Sequence, residues 1–499
     1  MTDPSPTIER FDRVPNSQKF VFGVGMLANQ LFPAAMGVFL VVLVQSLKME
    51  PWLAGVLAFL PRVLDAVTDP VMGYITDNTK SRWGRRRPYI FIGAIIAGVS
   101  FALMWQLDAD QSVMYNFWYY LIFALLFYVG LTIFATPYVA MGYEMSADFH
   151  ERTRLMAVAQ WMGQWAWVIA PWFWVIIYDP AFFPDPETGE SNGVYGARML
   201  AMYVGVGCIL LGIAPAIFCR TQPVDPDTLD RLSISGIAAS VTSLFGGIVE
   251  AFRNGPFVRI CLATFFIFGS FNTVAGMAYY IIVHYMFGGD PGPEGAGRWP
   301  TWHGSAGALA TTFLAIPVVA WMAQRFGKKN AFVISQSVSI IGYVLFWWGF
   351  NPDDPRWLFI PLPFFCFGIG SLFTIMMSMT ADVCDLDELR TGTRSEGVFG
   401  AVYWWMVKLG FAVAGLATGV IMSGVGFDPN AETQPGGALT GLRLAYIAVP
   451  VGGTIAAILI MLGYNLNEAR AHEIRAELEA RRAGDGSPGT DGGGEPAAS

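Results

Sequence analysis

Two carboxylates, Asp65 and Asp69, stand four residues apart inside a segment, 53–75, that is otherwise apolar. A carboxylate in the middle of a bilayer costs about 2.5–3.5 kcal/mol or more unless it is solvated, paired or protonated. Side chains at i and i+4 share one helical face and lie within reach of each other. Arg62, three residues before Asp65, joins that face, as does Gly73. Such a stripe must line a cavity or a helix contact. Two close acids there can hold a small cation, transiently Na⁺, with Arg62 free to hold one of them. The plainer alternative is a structural salt bridge.

The elements that position these acids follow from composition. The chain has 499 residues, of which 54% are hydrophobic, 15% aromatic and 14% charged. Its mean hydropathy is +0.47. That is too apolar for an ordinary soluble chain. The net charge of −8 comes from acids in loops and tails, and no nucleic-acid partner is expected. The first 18 residues are polar and lack a signal-peptide pattern. The five cysteines form no CxxC pair, so neither a disulfide nor a resident metal site is expected.

Apolar stretches near the ~20 residues needed to cross a bilayer recur at 20–46, 52–76, 89–107, 116–142, 155–178, 199–219, 257–285, 304–324, 331–350, 357–383, 397–424 and 441–465. The expected fold is an all-α membrane protein of twelve transmembrane helices. With the N-terminus inside, 22 Lys and Arg fall in inner segments and five in outer ones. The positive-inside bias therefore places both termini in the cytoplasm of a multi-pass protein of the inner (plasma) membrane. The expected organisation is a cytoplasmic segment 1–19, a six-helix bundle 20–219 and a cytoplasmic linker 220–256 with an amphipathic helix. A second six-helix bundle, 257–465, and a partly disordered cytoplasmic tail, 466–499, complete it.

A repeat supports two six-helix halves. Arg82-Trp83-Gly84-Arg85-Arg86 follows the second span, and Arg325-Phe326-Gly327-Lys328-Lys329 follows the eighth. Each reads basic, aromatic, glycine, basic, basic. Parallel repeats with a mid-membrane site between them belong to the major facilitator fold.

The stretch Arg62-Val-Leu-Asp65-Ala-Val-Thr-Asp69-Pro70-Val-Met-Gly73, followed by Ser81-Arg-Trp-Gly-Arg-Arg-Arg-Pro88, resembles the signature of glycoside–pentoside–hexuronide:cation symporters. So do Pro137-Tyr-Val-Ala-Met-Gly-Tyr-Glu144, the opening Arg253-Asn-Gly-Pro-Phe257, and Ala381-Asp-Val-Cys-Asp385 with Thr391-Gly-Thr-Arg394. The resemblance covers residues 20–465. It implies a symporter of a sugar or glycoside with Na⁺, Li⁺ or H⁺, no cofactor beyond that ion, no enzymatic activity, and function as a monomer in the bilayer.

Residue by residue, the resemblance assigns the cation to Asp65 and Asp69 with help from Thr132, and places Lys408 near cation and substrate. Lys408 lies too deep in its span to snorkel easily, and the acid pair is its natural partner. The family's acidic sugar ligands are replaced here by Gln30 and Ala135, and its span-five Arg by Gln160. Gln30 and Gln160 can contact substrate or act as interhelical glue. Trp161, Trp165, Trp404 and Trp405 lie on spans five and eleven, the cavity helices of this fold; they can stack on a sugar or face lipid. Asp77, Arg85, Arg86, Asp148, Arg152, Asp382, Asp385 and Arg394 sit at inner span ends. They are expected to form a cytoplasmic gate that closes when the protein opens outward, with solvated charge and helix capping as the alternative. The four histidines read as incidental.

The lost sugar acids leave room for a second substrate class, a lysolipid or other amphiphile. An intramembrane enzyme using Asp65 and Asp69 as acid and base would lack any nucleophile constellation, metal motif or nucleotide loop to complete it.

Overall fold

The structure is a computed structural model that describes residues 13–146, 148–220, 233–392, 396–431, 433–466, 470–471, 473–474 and 476–478. It is almost wholly helical. In the N-terminal half, α1 is Asn16–Gln45, α2 Pro51–Asp77, α3 Arg87–Met104, α4 Val113–Glu144, α5 Phe149–Ile169, α6 Trp172–Tyr178 and α7 Gly193–Phe218. A connecting helix, α8, is Ile234–Ala251. The C-terminal half contains α9 Gly255–Ala275, α10 Met277–Tyr280, α11 Trp299–Ala310, α12 Ile316–Phe326, α13 Lys328–Gly349, α14 Leu362–Ser371, α15 Met377–Thr391, α16 Glu396–Gly424 and α17 Gly436–Leu462. Three π-helical segments, Ile281–Met286, Thr311–Ala315 and Leu372–Met376, join α10, α11–α12 and α14–α15 into longer rods.

Eleven helices among the described residues are long and apolar enough to cross a membrane. The expected fifth span is present as α5 continued by α6, but falls outside that set. Its start carries Glu151, Arg152 and Arg154, and its middle Gln160 and Gln164. Those polar groups lower its hydropathy without breaking the helix.

Local chemistry sets the helix ends. Ser112 Oγ accepts from the Tyr115 amide (3.2 Å) to start α4, Asn192 accepts from the Val194 and Tyr195 amides to start α7, and prolines occupy the first turn of α2, α3 and α9. The two turns of the sequence repeat share one requirement. Gly84 has φ 93° and Gly327 φ 79°, a region that a side chain disfavours, so the glycine of the pattern is what allows the tight reversal.

The helices approach closely where small residues meet. A Cβ on Gly93 of α3 would lie 2.4 Å from the Phe134 nitrogen of α4, and one on Gly419 of α16 would lie 2.2 Å from the Pro51 carbonyl oxygen of α2. Such contacts replace hydrophobic drive, which lipid does not supply. The core has a telling division. One continuous apolar cluster unites both halves at the end of the bundle away from the first and last described residues. Toward the face that carries those residues, called the terminal face below, it splits into one cluster for each half. The bundle is thus sealed at its far face and parted at its terminal face. There α8 rests against the ends of both α2 and α16, and Ser240 Oγ donates to the Pro70 carbonyl (3.1 Å). The segments expected at 1–12 and 221–232, and most of the expected tail, lie outside the described residues.

Candidate functional site

Pro51 starts α2, and the face that carries Asp65 and Asp69 meets Thr132 and Thr136 of α4 and Lys408 of α16. Asp65 is buried, 8% exposed. Thr132 Oγ1 donates to Asp65 Oδ1 at 2.7 Å, and Lys408 Nζ lies 2.8 Å from Asp65 Oδ2. The same ammonium donates to Asp69 Oδ2. Thr136 Oγ1 lies 3.3 Å from Asp69 Oδ1, and Thr68 Oγ1 lies 3.1 Å from Thr132 Oγ1. Four residues named by the sequence, Asp65, Asp69, Thr132 and Lys408, therefore converge on one point between the halves.

Thr136 was not singled out, although the signal is visible: Thr132 and Thr136 repeat the four-residue spacing of Asp65 and Asp69. The two helices run side by side with acids on one and hydroxyls on the other. The oxygens present are hard donors of the kind a small cation takes. In this arrangement the Lys408 ammonium already sits on both acids, so a cation entering the site must compete with it.

Arg62 is not paired with either acid. Its Nε donates to the Tyr128 hydroxyl (3.0 Å) and its Nη1 to the Phe411 carbonyl (3.0 Å). The guanidinium stacks over the Phe411 ring at 5.0 Å. This corrects the expectation that Arg62 could hold one carboxylate: it faces the same two helices as the acids, but its long side chain ends at the Tyr128 hydroxyl of α4 and the Phe411 carbonyl of α16, away from both carboxylates.

Arg62 instead borders a cavity of about 360 Å³ on the far side of the acids, between the halves. That size lies within the ~300–1,000 Å³ usual for small-molecule sites. Its walls are largely aromatic, including Trp167, Phe271, Tyr279 and Phe411, with Gln164, Asn272 and His303 among the polar groups. The sequence reading missed Gln164, Asn272 and His303, since no motif marks a lone polar residue on an apolar helix.

The remaining candidates separate by helix face. Gln160 shares the face of Gln164, Trp167 and Pro171, three cavity residues at helical spacing. Gln30 instead accepts from Trp167 Nε1 (3.3 Å), a bond that ties α1 to α5. Trp161 and Trp165 are 55% and 38% exposed and share a stripe with the exposed Ile169 and Trp172. They belong to the outer surface of the helix, which argues against the substrate contact expected of Trp161. Trp404 stands one turn from Lys408 on the stripe that continues to Phe411 and Gly415, and is 49% exposed. It flanks the approach from the terminal face.

The charged span ends form ion pairs within each half. Arg86 lies 2.8 Å from Asp77 and 2.7 Å from Glu144, and Arg85 also pairs with Glu144. Lys328 pairs with Asp382 at 2.5 Å. Asp148 caps α5 by accepting from the Glu151 amide (2.6 Å). Arg152 lies in the first turn of α5 and Asp385 in α15. Arg394 lies outside the described residues. The far face is held differently, by contacts between halves: His284 Nε2 to Gln45 Oε1 (2.8 Å), Thr301 Oγ1 to the Pro171 carbonyl (2.8 Å) and Ser305 Oγ to the Val168 carbonyl (2.8 Å).

A family model described as MFS/sugar transport protein matches residues 21–468. The chain belongs to this family. MFS/sugar transport proteins are membrane transporters, and this chain is a transporter and not an enzyme. The chain is 23% identical to the isoprimeverose transporter of Lactiplantibacillus pentosus, over 97% of its own length and 95% of the relative's. It is also 23% identical to the sodium-dependent lysophosphatidylcholine symporter 1-B of Danio rerio, over 95% and 91%. Among solved structures, a bacterial homologue of the human lysosomal transporter Spinster shares the fold, with a TM-score of 0.61 at 15% identity, over 93% of this chain and 98% of that one.

Proposed function

We propose that this MFS/sugar transport protein is a cation-coupled symporter that imports a sugar or glycoside by alternating access. The observation that carries the reading is the Lys408 ammonium, which reaches from the C-terminal half to both carboxylates of the N-terminal half. In the empty carrier this bridge offsets one of the two negative charges and the Arg62 guanidinium of the same span balances the other, so the unloaded halves can rock past each other without net charge crossing the low-dielectric middle. A coupling ion, Na⁺ or H⁺, replaces the bridge at Asp65 and Asp69, with Thr132 and Thr136 as further oxygen ligands for a metal ion. Lys408 is then released toward the substrate cavity. Cation and substrate thereby become linked through one side chain.

The terminal face is read as cytoplasmic, supported by the excess of Lys and Arg there, in the plasma (inner) membrane, with a monomer as the working unit. On this reading the structure is inward-open. The relatives' names support both a sugar and, as a second reading, a lysolipid; the aromatic walls of the cavity suit either. The test is counterflow in sealed proteoliposomes loaded with a sugar panel and, separately, lysophosphatidylcholine, each with and without Na⁺ and across pH. Cation-dependent exchange of a sugar supports the first reading, and exchange of lysolipid alone replaces it with the second. Exchange that ignores both Na⁺ and pH rejects coupling.

A further inference from the structure

A second cavity lies at the closed far face, apart from the central one. It holds about 370 Å³ and has one wall in each half. Val175, Tyr178 and Asp179 at the end of α6 form the first wall; residues of the segment 291–299, with Trp302 of α11, form the second. It shares no lining residue with the central cavity. Both walls are firmly built. Asp290 Oδ1 accepts from the Gly292 amide (2.7 Å), and the Asp290 carbonyl accepts from the Ala296 amide (2.9 Å). A Cβ on Gly295 would stand 2.4 Å from that carbonyl oxygen, and Gly297 has φ 49°, so glycine is what lets this loop fold back on itself. Across the seam, the Tyr178 hydroxyl is bonded to Ser46 Oγ (2.9 Å).

The side chains that line this cleft have bonding capacity to spare. Asp179 Oδ1 accepts from the Ala181 amide (2.9 Å), while its Oδ2 and the Arg298 guanidinium have no partner among the described residues. Trp299 and Trp302 meet edge to face at 5.2 Å. Phe287 and Phe359 pack on Trp299, and Trp302 is 40% exposed, which leaves one indole open to a ligand. The charges select among ligands. One carboxylate and one guanidinium sum to zero, so a cation would meet Arg298 and an anion would meet Asp179. An apolar group would cover both charges without replacing their water. A neutral ring with hydroxyls gives donors to the carboxylate and acceptors to the guanidinium, and its C–H face packs on an indole.

We propose that this cleft is a second binding site, one for a neutral pyranoside, and that its occupant holds the far face closed. The two walls belong to different halves, so the site exists only while the halves meet there. A ligand that binds one state alone raises the population of that state by mass action. The consequence for transport rests on the alternating-access reading above: pyranoside abundant at the far face slows the carrier's opening to that face.

Full-length protein carrying 5-fluorotryptophan, in lipid nanodiscs, is titrated with methyl β-D-glucopyranoside and followed by fluorine NMR, with Trp302→Phe assigning the Trp302 signal. That signal is expected to shift saturably. Asp179→Asn and Arg298→Gln are each expected to weaken the response about tenfold or more, as the loss of a hydrogen bond to a charged group does. The other tryptophan signals report whether each variant is folded. Closure is read in sealed vesicles, where an impermeant maleimide added at the far face labels a cysteine placed in the central cavity by Ala275→Cys; the native cysteines are buried. The glucoside at about ten times its dissociation constant is expected to slow labelling about tenfold, and Trp302→Ala, at an exposed position, to abolish the slowing. The proposal is overturned if the Trp302 signal does not respond, or if choline, methyl β-D-glucuronide or the zwitterion glycine betaine shifts it as strongly. It is also overturned if the glucoside does not slow labelling, or slows it as much in Trp302→Ala. A cysteine that is never labelled from the far face, beside a responding Trp302 signal, would reject alternating access and leave the binding site standing. Uptake that ignores Na⁺ and pH would reject symport and leave both measurements untouched, since neither uses a coupling ion.

Discussion

Lys408 Nζ lies 2.8 Å from Asp65 Oδ2 and also bonds Asp69, so one ammonium on α16 serves both acids of α2. The pair of helices that carries this bridge also forms the close glycine contact at the far face. The close far-face contact and the bridge to which the proposed mechanism gives the switching role therefore share the same two elements, and most of the expected outcomes follow from that sharing.

Asp65→Asn and Asp69→Asn should each abolish uphill, cation-driven uptake while the protein still reaches the membrane. Lys408→Ala should behave differently. It removes the competitor for the acids, so cation affinity rises, yet the empty carrier must now return with two unpaired carboxylates, which is costly. Exchange of internal for external substrate should persist while net uptake falls about tenfold or more. Equal loss of exchange and net uptake in Lys408→Ala would contradict the bridging role.

The threonine ladder should be graded by its geometry. Thr132 donates at 2.7 Å and Thr136 at 3.3 Å. Losing one hydroxyl ligand to an acid costs about 1–2 kcal/mol, or roughly five- to thirtyfold in affinity. Thr132→Val is therefore expected to weaken cation binding more than Thr136→Val, and Thr136→Ser to leave it near its starting value. Isothermal titration with Na⁺, or proton release in a lightly buffered solution, measures the order.

Gly419→Val should prop the far face open. A Cβ there would stand 2.2 Å from the Pro51 carbonyl oxygen, and one on Gly415 would stand 2.6 Å from the Ala58 Cβ. Backbone atoms cannot yield cheaply, so α2 and α16 must separate. The expected result is a population shift toward the state open at that face, read as faster labelling of a cysteine introduced into the cavity by an impermeant reagent added from that side. Unchanged labelling would show that the glycine contact does not govern closure.

Glu144→Gln should weaken the N-terminal half without touching the ion site. Glu144 binds Arg85 and Arg86 at once and is itself about one-fifth exposed. Losing its charge leaves Arg86 with the Asp77 carboxylate and Arg85 with the Asp77 backbone carbonyl, at a cost of about 1–3 kcal/mol. A lower thermal midpoint is expected, with cation affinity within about twofold of its starting value in the folded protein.

Much of the fold was legible because a bilayer offers no hydrogen bonds to the backbone, so apolar runs of sufficient length have to be helices. The fifth span was legible for the same reason even though α5 carries charges and glutamines that lower its hydropathy. The repeat at Gly84 and Gly327 was readable as a pattern, and the structure supplied its cause in the positive φ of both residues. Periodicity also placed Asp65 and Asp69 on one face, and with equal attention it would have placed Thr136 beside Thr132. Arg62 was misread because a shared face limits where a long side chain begins and not where it ends. Trp161 and Trp404 looked equivalent on two cavity helices; only the rotation of each helix in its bundle set one on the outer surface and the other beside Lys408.

The sequence by itself determined that this chain enters a membrane as helices and brings two acids into it. Hydropathy and helical spacing are local properties, fixed within a few turns. Tertiary structure decided which cation satisfies those acids, where the Arg62 guanidinium ends, and which face of the bundle is closed. Those outcomes depend on contacts such as Asp69 with Lys408, 339 positions apart, whose free energy exists only once the two halves have come together.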